Sequence, residues 1–167
     1  MHNELTAVDI KKMQEEIDYR SLELRPKLLA EVQRTREFGD LSENAEYKEA
    51  KRAKRKNESR IRYLDNMIRT AKIIEAPKLD GKIGLFDKVE ILNEKNGAKK
   101  TIQLVTTLRQ NALLGFVSKE SPLGSALMGK AVGDRVLVQV SDALSYYVTV
   151  LSVEPGEDSE ELPISAY

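Results

Sequence analysis

Asp40 and Glu43 stand three residues apart in REFGDLSENAEYKEAKRAKRK (36–56), between two strongly charged stretches. Two carboxylates within one helical turn have two uses. In a capping box, Asp40 accepts from the amide of residue 43 while Glu43 reaches back to the Asp40 amide. Ser42 is an alternative cap. Helix starts are commoner than catalytic pairs, which favours the cap on local grounds. In the second use the two acids share a magnesium ion, typically held by one or two carboxylates with waters and substrate phosphates completing the shell. A carboxylate has several lone-pair directions, so the two uses are compatible. The pair has no pocket, general base or second metal, so it is not a complete active site. It could complete one that another macromolecule supplies.

A basic run follows the acids: Lys48, Lys51, Arg52, Lys54, Arg55, Lys56, Arg60 and Arg62, with only Glu49 and Glu58 among them. Lys51, Lys54 and Arg55 fall at i, i+3 and i+4, and Arg52, Lys56 and Arg60 at four-residue steps, so on a helix each group is a contiguous stripe. Such stripes attract phosphates and give salt-dependent nucleic-acid binding. The alternative is a solvated helix face partnered across a hairpin by Glu15, Glu16 or Glu23. Phe38 and Tyr47 bracket the acids, either as an apolar plug for the turn or as a contact for a base or a partner.

The rest of the composition narrows the chemistry. The chain of 167 residues has 27 basic and 27 acidic side chains, so net charge does not choose a partner. It has no cysteine, which excludes disulfides and thiolate metal sites, and its single histidine is His2. MHNELTAVDIKK lacks an apolar signal core, and no stretch approaches the ~20 apolar residues that span a bilayer. A soluble, cytoplasmic protein without membrane contact is expected.

The elements that must hold the acids read as two halves. From Thr6 to Glu75 there is one proline, Pro26, and one glycine, Gly39, among many good helix formers. Ile10, Met13, Ile17, Leu24 and Leu28, then Ala50, Asn57, Ile61, Leu64, Ile68 and Ala71, recur at coiled-coil spacings. Thr6 or Asp9 caps the first helix and Gly39 ends it. The outcome is an antiparallel helical hairpin over 1–75, with Pro26 bending its first arm or costing it a turn of hydrogen bonds. At ~1.5 Å per residue each arm reaches roughly 45–50 Å, which holds the Asp40 end far from a core of its own.

Residues 76–81 form a linker punctuated by Pro77 and Gly81. Beyond it the period becomes two. Strands at 83–92 and 99–108 flank Asn96-Gly97, a strong hairpin signal. Further strands are expected at 112–118, 134–140 and 145–153, with a short helix in SPLGSALMGK (121–130). Gly124 and Gly129 read as turn residues. The fold class is α+β: a helical-hairpin coiled coil, then a small domain over 82–155 with a mainly antiparallel sheet. The acidic tail, 156–167, is expected to be loose.

GDLSENAEYKEAK (39–51) between two long helices closely resembles the tip of the bacterial Gre transcript-cleavage factors, GreA and GreB. RIRYLDNMIRTAKII (60–74) and SPLGSALMGKAVGDRVLV (121–138) extend the resemblance over nearly the whole chain. It implies an FKBP-like C-terminal domain that docks at the rim of RNA polymerase's secondary channel, and a hairpin that passes down it. The protein would not be an enzyme. It would activate the polymerase's own cleavage of backtracked RNA, with Asp40 and Glu43 helping to hold a catalytic Mg²⁺ shared with the polymerase and to orient the attacking water. Asn44 and Tyr47 would support the tip. Lys51, Arg52, Lys54, Arg55, Lys56 and Arg60 would contact the RNA 3′ segment. The expected partners are bacterial RNA polymerase and the 3′ end of backtracked RNA, and the protein is expected to be a monomer. The alternatives are a channel-binding inhibitor of the same architecture, a peptidyl-prolyl isomerase or chaperone, and a coiled-coil adaptor whose basic arm binds DNA or RNA directly.

Overall fold

The computed structural model describes residues 4–39, 44–76 and 81–165. They fall into two compact units: Ile10–Ala71, and a second made of residues up to Asp9 together with those from Lys72 onward.

The first unit is the hairpin. Helix α1 (Ala7–Tyr19), a π-helical turn (Arg20–Leu24) and helix α2 (Arg25–Arg36) form one arm, and helix α3 (Ala45–Thr70) forms the other. Thr6 and Asp9 cap α1 together: the Asp9 amide donates to Thr6 Oγ1 at 3.3 Å, and the Thr6 amide to Asp9 Oδ2 at 3.0 Å. The π-helical turn is the answer to Pro26. Proline lacks an N–H, and in a regular α-helix its ring would strike the carbonyl four residues back. The wider turn ends just before it, with the Arg25 amide bonded to the Arg20 carbonyl and proline in the first turn of α2. The seam follows the expected stripe at Met13, Ala50, Asn57 and Leu64, all buried.

In the second unit, β1 (Glu4–Leu5) pairs in parallel with β2 (Lys72–Ile73), which joins the two ends of the helical segment. Period-two alternation did not reveal these two-residue strands. The main sheet comprises β3 (Lys88–Asn93), β4 (Lys99–Val105), β5 (Phe116–Ser118), β6 (Arg135–Gln139) and β7 (Ser145–Glu154), in the order β5-β4-β3-β7-β6. All its pairings are antiparallel except β4–β5. Its core includes Val89, Ile91, Ile102, Leu104, Val136 and Val148, closed by Leu127 from helix α4 (Pro122–Leu127). β6 shows the alternation most cleanly, with Val136 and Val138 buried and Arg135, Leu137 and Gln139 exposed.

Several expectations change. The strands expected at 99–108 and 112–118 stop at Val105 and begin only at Phe116, because Thr107–Arg109 and Ala112–Leu114 each form a 3₁₀ turn. The strand expected from residue 83 begins only at Lys88, because Asp87 folds the preceding segment into a turn: the Gly84 amide donates to Asp87 Oδ2 at 2.8 Å. Within that turn Phe86 adopts φ 70, costly for an aromatic residue. Gly124 is helical rather than a turn residue, and a Cβ there would lie 1.9 Å from the Ser118 carbonyl oxygen. The acidic tail is not loose through Ser165: the Ser165 amide donates to the Leu108 carbonyl at 2.7 Å, and Leu162 packs on the Leu85, Phe86 and Val105 cluster.

Candidate functional site

The site is built on the first unit, where the arms meet. Asn44 starts α3: its Oδ1 accepts from the Tyr47 amide at 3.0 Å, as an N-cap should. Its Nδ2 donates to the Thr35 carbonyl at 2.8 Å, tying the start of α3 to the end of α2. Thr35 is fully buried and returns its hydroxyl to the Glu31 carbonyl at 2.9 Å. Arg34 adds a second tie, with Glu31 at 2.6 Å on its own helix and Glu46 at 3.4 Å on the other arm. Its guanidinium also lies 5.2 Å from the Phe38 ring centroid, and Phe38 is 56% exposed, so this ring is no apolar plug.

Asp40 and Glu43 lie outside the described residues, as does Ser42. The N-cap of α3 is Asn44. Among the described residues there is no cluster of three or more acids or histidines able to hold a metal ion.

Away from the turn, Tyr47, Lys51, Lys54, Arg55 and Arg62 line a cleft of about 550 Å³ whose opposite wall includes Val32 of α2. The three- and four-residue spacing along α3 brings these side chains to one face. Lys51 Nζ sits 5.1 Å from the Tyr47 ring centroid, so a cation and an aromatic face adjoin within the cleft. Glu58 also lines it, but Arg25 holds that carboxylate in a two-point bond, at 2.6 and 2.9 Å. The hydrogen bond and charge of Arg25 keep Glu58 below the ordinary carboxylate range. Arg52 and Lys56 are exposed but lie off the cleft, and Arg52 pairs with Glu49 at 3.0 Å.

Arg60 departs from the expected basic stripe. Its side chain turns into the hairpin seam, 7% exposed, and bonds Glu16 through Nε at 2.9 Å and Nη2 at 3.2 Å. The spacing Asn57, Arg60, Leu64 is seam spacing, a signal that the basic character of the run masks. Around it lies a polar network: Arg20 Nε to Glu16 at 2.8 Å, Arg20 Nη1 to Asn57 Oδ1 at 3.0 Å, and Asn57 Nδ2 to the Arg20 carbonyl at 3.2 Å. A buried asparagine in a helical seam fixes register, because a slipped pairing would strand its amide.

Burial opposes ionisation of Glu16, yet the hydrogen bonds and charges of Arg60 and Arg20 outweigh it and hold the carboxyl below its ordinary 4.5. A depressed folded-state pKa adds stability that is complete above the unfolded value and lost as pH falls through the folded one. The stability advantage of the natural protein over Glu16→Gln is therefore expected to be constant near neutrality and to shrink as pH drops below about 4.5. Urea midpoints of both proteins between pH 7 and 3 measure it, and an advantage that grows in acid would contradict it.

A helical hairpin with a basic, aromatic-bearing cleft, followed by a mostly antiparallel sheet domain, defines a two-domain protein. Residues 3–73 match the family described as "Transcription elongation factor, N-terminal", and residues 77–155 match "Transcription elongation factor, GreA/GreB, C-term". "Transcription elongation factor GreA" of Rhizobium leguminosarum bv. viciae is 38% identical over 87% of this chain and 92% of its own. The protein of that name from Agrobacterium fabrum is 37% identical over the same shares. Among solved structures, GreA factor homolog 1 of Thermus thermophilus is similar at a TM-score of 0.42 and 24% identity, covering 93% of this chain and 100% of its own. The chain belongs to the GreA/GreB family of transcription elongation factors. Among the described residues no helix is long and apolar enough to cross a membrane.

Proposed function

We propose that this chain enters the secondary channel of RNA polymerase and stimulates the polymerase's own cleavage of backtracked RNA, so that arrested complexes resume. Family membership supports the elongation role. The observation that supports the finer reading is the Asn44 cap, which starts α3 directly after Glu43 in sequence and closes onto Thr35 at the end of the other arm. In sequence those two carboxylates fall between the arms, suited to completing a site that lacks ligands of its own.

In this reading Asp40 and Glu43 present their carboxylates to Mg²⁺ held jointly with the polymerase and orient the attacking water. The ion, when bound, supplies charge stabilisation at the phosphate and lowers the pKa of that water. Lys51, Lys54 and Arg55 hold phosphates of the extruded RNA 3′ segment, and the Tyr47 ring offers a face on which a base stacks. Arg52 and Lys56 add longer-range attraction. Arg60 contributes through the seam rather than by touching RNA. The factor is no enzyme by itself, since the nuclease chemistry belongs to the polymerase.

The test is RNA length in halted, backtracked elongation complexes with Mg²⁺. Adding the protein should release short 3′ fragments. Charge reversal at Lys54 and Arg55 should weaken that release, more so at higher salt. Unchanged RNA length with polymerase-bound factor would overturn the cleavage reading and leave a channel-binding inhibitor.

A further inference from the structure

We infer that residues 156–165 are a releasable strap, an acidic peptide carried in cis and seated in a carboxylate-receiving site built around the buried guanidinium of Arg109. The C-terminal family match ends at residue 155, so the strap lies beyond the matched domain. Its seat is nonetheless specific. Arg109, with a side chain 0% exposed, forms an ion pair with Asp158, Nη1 lying 2.6 Å from Oδ1, and the same Nη1 donates to the Ser159 carbonyl at 3.2 Å. Leu162, four residues after Asp158, packs on the cluster of Leu85, Phe86 and Val105. Gly156 begins the strap because its backbone runs against the Phe86 carbonyl, where a Cβ would come within 1.9 Å. Ser165 ends it on the Leu108 carbonyl.

Other features mark the strap as a ligand rather than part of the core. No residue from 156 to 165 is buried, and Glu157, Glu160, Glu161 and Pro163 are exposed. An open cleft of about 500 Å³ runs beside it, bordered by Lys88, Leu114 and Phe116. Most important is the second partner of Arg109. Its Nε bonds Asp9 Oδ1 at 2.6 Å, and the Asp9 side chain is 0% exposed whereas that of Asp158 is 20% exposed. Two carboxylates thus share one guanidinium. When the strap leaves, Asp9 keeps Arg109 paired and no buried charge is orphaned, which is the condition that makes release tolerable. The vacated site accepts an acidic peptide that turns just after its key acid and carries an aliphatic residue four positions after it.

Two measurements on the full chain test this. In the natural protein, amide hydrogen exchange at Leu162 and Ser165 should run at least tenfold faster than in β3 and β7. The variant with Asp158→Asn and Leu162→Ser should keep its sheet, by circular dichroism, and bind a labelled synthetic peptide of residues 154–167 saturably. The natural protein, its site filled, should bind that peptide at least tenfold more weakly, and so should the variant when offered a peptide carrying Asp158→Asn. Strap amides that exchange together with the sheet, a variant that unfolds, or a folded variant that binds no peptide would each overturn the strap as a releasable ligand.

Discussion

Replacing Asp40 and Glu43 together with alanine is expected to remove transcript-cleavage stimulation by at least about 100-fold and leave polymerase binding in place. The magnitude follows from metal chemistry: losing groups that merely support a ligand costs roughly 10–100-fold, and here the ligands themselves are lost. The structure adds a control. Were the acids the cap of α3, their removal would lower stability by about 1 kcal/mol. Asn44 makes that cap. The thermal midpoint of the double variant should therefore match the natural protein's while fragment release disappears. Asn44→Ala should behave in the opposite way, costing about 1 kcal/mol of stability and weakening cleavage only in proportion to the loosened turn. Fragment yield from backtracked complexes, read beside urea midpoints, separates the two roles. Full activity in the double alanine variant would leave the acids without a catalytic part.

The contrast between Asp40 and Asn44 shows what local spacing conveys. Acid, serine and asparagine all lie within five residues, and each is a good cap. What the structure adds at Asn44 is a carbonyl nine positions earlier, at Thr35, which its amide meets as donor while its oxygen caps, a pairing that an ionised aspartate cannot make. The hairpin itself was legible because a seam repeats over many turns, whereas Arg60 was not, because its charge disguised a seam position. β4, β6 and β7 were legible from alternation. The Gly84–Asp87 turn escaped because apolar residues run through it, and a side-chain bond from Asp87 rather than hydrophobicity decides its path. Least legible of all was Arg109. It sits in a stretch that reads as strand end and loop, and its partner Asp9 is 100 residues away.

That separation makes Arg109→Met the substitution expected to cost the most stability. Methionine fills comparable volume, so the loss is chiefly electrostatic. Asp9 would remain buried with its carboxylate bonded to the Thr6 amide but without a counter-charge. Removing one partner of a buried ion pair typically costs about 3–5 kcal/mol. For a unit of this size that is a fall of more than about 10 °C in thermal midpoint. Adding Asp9→Asn to Arg109→Met should recover a large part of the loss, because the orphaned charge disappears while an acceptor for the Thr6 amide remains. Asp158→Asn alone should cost far less than Arg109→Met, since Asp9 still neutralises the guanidinium. Calorimetry on these three variants and the natural protein distinguishes these outcomes. Equal losses for Asp158→Asn and Arg109→Met would mean that the tail carboxylate, not Asp9, is the partner on which the buried arginine depends.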